Sequence, residues 1–90
     1  MDISIAEMQT LILDTLNGTS EENTMPCTKL ALTIAFNKKL ISDTNISYAF
    51  LSHIFRDTFL NALENLLSIK KVQTVPSSGP NPWSGYVFLV

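Results

Sequence analysis

The hydrophobic period of this chain changes once, and that change constrains the fold more than any other feature. From Tyr48 through Leu51, Phe55, Phe59 and Ala62 to Leu66, apolar residues recur at steps of three and four, the spacing of one helix face. Past Ile69-Lys70-Lys71 the pattern alternates: Val72 and Thr74 against Gln73 and Val75, then Tyr86, Phe88 and Val90 against Val87 and Leu89. The intervening Pro76-Ser77-Ser78-Gly79-Pro80-Asn81-Pro82-Trp83-Ser84-Gly85 has the composition of a long turn. Residues 58–90 therefore read as an amphipathic helix running into a β-hairpin.

The rest of the chain is helical in pattern. Ser4-Ile5-Ala6-Glu7 reads as a capping box with Ile3 and Met8 at staple positions, and Ile5, Met8, Ile12 and Leu16 follow at helical spacing. Asn17-Gly18 supplies the stop, so the first helix is expected over 5–16. Residues 19–24 are polar and form a surface loop. Pro26 suits the first turn of a second helix. Within 29–36 two patterns compete: Cys27, Leu30, Ala31 and Ile34 make a helical stripe, whereas Leu32, Ile34 and Phe36 alternate like a strand. Two alanines and the length to Ile41 favour a helix. The stripe over 46–68 fits one long helix or two; Asp57 is a good N-cap for a helix starting at Thr58, which favours a break near Arg56-Asp57.

Ninety residues of which 46% are apolar make one domain with one core, spanning 1–90, and no internal repeat or linker divides it. Charged residues make up only 16%, which leaves apolar surface for a partner, so a homodimer or a hetero-complex is expected. The longest uncharged run, after Lys71, is broken by prolines and glycines and cannot be a membrane-spanning helix. Met1-Asp2-Ile3-Ser4 lacks the basic start of a signal peptide, and the expected location is the cytoplasm. A single cysteine, Cys27, excludes an intramolecular disulfide and a cysteine-based zinc site. Asp2, Glu7, Asp14, Glu21 and Glu22 give −5 over residues 1–22, while the remainder carries six basic side chains against three acidic, or +3. That asymmetry permits an anion-binding face without requiring one.

The stretch Asp57-Thr58-Phe59-Leu60-Asn61-Ala62-Leu63-Glu64-Asn65-Leu66-Leu67-Ser68-Ile69-Lys70-Lys71-Val72 resembles the recognition helix of a winged-helix domain and its basic exit into the first wing strand. Ser47 to Phe55 would be the preceding helix of the helix-turn-helix, and Tyr86-Val87-Phe88-Leu89 is similar to the strand that closes a wing. The resemblance covers residues 46–90 and implies a mainly α, α+β fold of three to four helices with a C-terminal β-hairpin. It departs from the family in lacking a small residue at Phe55-Arg56 and a glycine at Lys70 or Lys71. It implies double-stranded DNA as partner, contacted by Arg56, Thr58, Asn61, Asn65, Lys70 and Lys71, with Arg56, Lys70 and Lys71 on phosphates and Asn61 and Asn65 reading bases, and with Ser77, Ser78, Asn81 and Trp83 on the wing. Against this, Asp57 and Glu64 share the exposed face and repel phosphate. That face, the acidic N-terminal third and Trp83 fit an alternative, a protein-binding module or inhibitor that docks on a larger complex.

No residue pattern points to catalysis. His53 pairs at helical spacing with Asp57, but no nucleophile accompanies them, and a structural role is the better reading. Cys27, with Lys29 nearby at a helix start, fits an activated thiol less well than a core residue. Neither a phosphate-binding glycine loop nor a metal-ligand spacing is present, and no cofactor is expected.

Overall fold

A computed structural model describes residues 3–75 and 85–90. Among these residues the chain forms three helices and a three-stranded antiparallel sheet. The order is α1 (Ile5–Thr15), β1 (Met25–Pro26), α2 (Cys27–Asn37), a single 3-10 turn (Tyr48–Phe50), α3 (His53–Ser68), β2 (Val72–Val75) and β3 (Tyr86–Leu89). The sheet order is β1-β3-β2.

α1 starts as its cap predicts: Ser4 Oγ accepts a hydrogen bond from the Glu7 amide at 3.0 Å. The reciprocal half of the expected capping box is replaced, because the Glu7 carboxylate instead receives Lys38 Nζ at 3.0 Å, tying the start of α1 to the end of α2. Met8, Ile12 and Leu16 are fully buried. The helix closes one residue before its expected end, with Leu16 as C-cap and Gly18 at φ 89.

The ambiguity over 29–36 resolves as helix: Cys27, Leu30, Ala31 and Ile34 are buried and Phe36 is exposed. α2 nevertheless ends at Asn37 rather than Ile41. Lys39 adopts φ 61, its amide bonds to the Phe36 carbonyl at 3.0 Å, and the Leu40 amide bonds to Ala35 at 2.9 Å. These are the two bonds of a Schellman motif. α3 ends in the same way, with Lys70 at φ 62, Lys70 bonded to Leu67 at 3.1 Å and Lys71 to Leu66 at 3.0 Å. Lysines occupy both left-handed positions that glycine usually fills.

The break expected near Arg56-Asp57 lies five residues earlier. Ser52 Oγ accepts from the Phe55 amide at 3.1 Å and caps α3, which then runs uninterrupted through Arg56 and Asp57. Asp57 lies inside α3 and does not cap; its carboxylate is 3.2 Å from His53 Nε2, one turn back. The segment expected as a helix over 47–55 is only a 3-10 turn, closed by Ser47 Oγ accepting from Ala49, and Leu51 is extended at ψ 147. The helix that precedes α3 is therefore α2.

β2 and β3 pair in the register Val72↔Leu89, Gln73↔Phe88, Thr74↔Val87 and Val75↔Tyr86. Val72 and Val87 project into the core. β1 escaped sequence reading because two residues show no period. Pro26, expected inside α2, is instead its N-cap and pairs with Tyr86, and the Cys27 amide bonds to the Gly85 carbonyl at 3.0 Å. Where β1 has no residue opposite Leu89, Thr19 substitutes: its Oγ1 accepts from the Leu89 amide at 3.0 Å and donates to the Leu16 carbonyl at 2.6 Å. One hydroxyl thus joins the end of α1 to the sheet.

One apolar cluster unites the three helices with β2 and β3. α1 packs chiefly against α3, whose Phe55 and Phe59 rings stack with centroids 6.5 Å apart. No helix among the described residues is long and apolar enough to cross a membrane.

Candidate nucleic-acid interface

Burial of Phe55, Phe59, Ala62, Leu63 and Leu66 fixes which side of α3 faces solvent. The exposed side divides into two strips. Thr58, Asn61, Asn65 and Ser68 form a neutral, hydrogen-bonding strip, with Thr58 half-buried and the others exposed. His53, Asp57 and Glu64 form a second strip beside it, with the Asp57 carboxylate 3.2 Å from His53 Nε2. The amides of Asn61 and Asn65 each carry a donor and an acceptor, the pattern that matches an adenine edge.

Lys70 and Lys71 are exposed at the exit of α3 into β2, so the structure brings Thr58, Asn61, Asn65 and the lysine pair onto one element and its C-cap. Arg56 does not join them. At ~100° per residue it lies about 160° around the helix from the middle of the asparagine pair. Its guanidinium sits over the Tyr48 ring, 6.0 Å from the centroid. Ser77, Ser78, Asn81 and Trp83 lie outside the described residues.

Sequence reasoning missed an apolar patch beside this face. Phe50 is 78% exposed and Ile54 63%, and Phe36 and Leu40 are also exposed at the end of α2. Leu40, Ile41, Phe50 and Leu51 border a cleft of about 340 Å³ between the end of α2 and the start of α3. The signal was available: Phe50 and Ile54 are large apolar residues that fall off the Tyr48-Leu51-Phe55-Phe59 stripe.

The thiol of Cys27 is buried, and burial pushes it from 9.0 up to about 11. Desolvation overrides any activation by Lys29 or the helix start, so this is a packed, unreactive thiol. Tyr48 is pushed up to about 12, again chiefly by burial. Among the described residues no three His, Cys, Asp or Glu side chains are placed to hold a metal ion. No known protein family matches the chain, and neither a curated protein nor a solved structure does.

Proposed function

We propose that this chain is a winged-helix domain that binds double-stranded DNA, presenting α3 to the major groove and acting as a non-enzymatic cytoplasmic regulator. The observation that carries the reading is the order helix, strand, helix, helix, strand, strand with the central strand last in sequence, joined to a neutral hydrogen-bonding strip on the third helix. In this reading α2 and α3 form the helix-turn-helix and β2–β3 the wing. Asn61 and Asn65 read bases, and Lys70 and Lys71 hold phosphates where the helix meets the wing.

Two lysines are few for a phosphate-dominated interaction, and Asp57 and Glu64 oppose it. A homodimer, doubling the contacts on a two-fold site, makes the binding effective. The test is a mobility shift at low salt with Lys70→Glu combined with Lys71→Glu. The shifted band should vanish while far-ultraviolet circular dichroism stays native; retained affinity would remove the proposal.

A second reading, docking onto a protein, is favoured by one observation: the exposure of Phe50 and Ile54 just before and at the start of α3. Exposed aromatic and aliphatic anchors of this kind suit interface centres. Under that reading Phe50→Ser with Ile54→Ser abolishes partner binding and the lysine reversal does not.

A further inference from the structure

We propose a second site, separate from the exposed face of α3, that binds a phosphate-type oxyanion in the cleft between α2, the 44–49 segment and Arg56. Arg56 is half-buried, its Nε is covered with no hydrogen-bond partner, and the ion pairs among the described residues are Lys38 with Glu7 and His53 with Asp57. A covered guanidinium N–H without an acceptor is unfavourable unless something else satisfies it. The Tyr48 ring contributes on one side.

Arg56 also lines a cavity of about 440 Å³ together with Thr28, Leu32 and Ser47. An adjoining cavity of about 330 Å³ shares Thr28 and Leu32 and adds Lys29 and Asn45. No carboxylate lines either one. The two cavities are thus lined by a guanidinium, an ammonium, a side-chain amide and the hydroxyls of Thr28, Thr33, Thr44, Ser47 and Tyr48.

This donor set fits a tetrahedral oxyanion. A guanidinium offers paired donors to two phosphate oxygens, hydroxyls donate to a third, and a lysine adds charge. The start of α2 adds to it: Pro26 gives no side-chain cap and the first turn holds no acidic residue, although the Cys27 amide is already taken by the Gly85 carbonyl. The site stands whether or not α3 reads bases, because Arg56 is on the far side of that helix from Asn61 and Asn65.

Inorganic phosphate titrated into the ¹⁵N-labelled chain, against chloride at matched ionic strength, tests the site. Saturable shifts are expected at the Thr28 and Ser47 amides and at the Arg56 Nε–H. Arg56→Met, which keeps the apolar stem, should weaken binding by about tenfold or more, as loss of a charged hydrogen-bonding pair implies. Arg56→Lys and Thr28→Val provide folded alternatives, each expected to weaken binding less. Absence of saturable shifts, or equal affinity in all variants, overturns the proposal. A short DNA duplex, added in a parallel titration, separates the sources of phosphate. If it displaces inorganic phosphate and moves the Arg56 Nε–H, the ligand is a nucleic-acid backbone; if phosphate remains bound at Arg56, the ligand is a free phosphorylated molecule.

Discussion

Replacing Lys70 by glycine should make the protein more stable and its DNA binding weaker at once. Lys70 adopts φ 62 at the end of α3, where its amide still completes the terminal bond to Leu67. A left-handed conformation costs an L-residue roughly 1–2 kcal/mol, which glycine avoids. Glycine in turn adds roughly 0.5–1 kcal/mol of unfolded-state entropy. The net expectation is a gain of up to about 1.5 kcal/mol, equivalent to up to about 12 °C in Tm for a domain of this size. Urea denaturation followed at 222 nm measures it, with an unchanged slope showing that the native state has not altered. Lys39→Gly, at φ 61 after α2, should give a gain of the same size because the same motif ends that helix. Lys70→Ala removes the charge but keeps the Cβ and should give none. A loss of stability in both glycine variants would refute the conformational argument. In a binding assay, Lys70→Gly should reduce the salt slope by about 0.9, the share of one phosphate contact.

Three further outcomes follow from the packing. Ser52→Ala should cost about 1 kcal/mol by chemical denaturation, since Ser52 and not Asp57 caps α3, whereas Asp57→Ala should leave the midpoint unchanged. Thr19→Val should cost about 1–3 kcal/mol, because the Leu89 amide loses its acceptor with little change in side-chain volume; a neutral result would show the link between α1 and β3 to be incidental. Cys27 holds its proton in the folded state to about 11 against an ordinary 9.0, so its contribution is complete below pH 9 and declines as pH rises from 9 toward 11. The decline should reach up to about 1.4 kcal/mol per pH unit, and Cys27→Ala should flatten it in paired melts.

The elements written in long periodic runs were legible. The stripe from Phe55 to Leu66 and the alternation in Val72–Val75 and Tyr86–Leu89 placed α3 and the paired strands, because period and burial agree there. Features made by competition between neighbours were not. Ser52 and Asp57 are both good caps, and the helical period that continues back through Phe55 lets the earlier one start the helix, leaving Asp57 inside it. Lys39 and Lys70 end helices without the glycine that announces such an end, so α2 read four residues too long. β1 exists because β3 offers it an edge, a long-range cause with no local signature. The same limit applied to the site. Helical phase places Asn61 and Asn65 on one exposed face, whereas Arg56 reads as a flank of that face only if the helix begins at Thr58; a helix that begins at His53 turns it to the other side, over Tyr48.

The most direct test of the DNA-binding account is the salt dependence of affinity for a short fluorescent duplex, measured by anisotropy between about 50 and 200 mM salt. With Lys70 and Lys71 each neutralising one phosphate, log Kd should rise with log salt at a slope of about 2 per subunit and about 4 for a dimer, and the Lys70→Glu, Lys71→Glu variant should not bind. Duplex affinity independent of salt, or unaffected by reversing both lysines, would contradict the account.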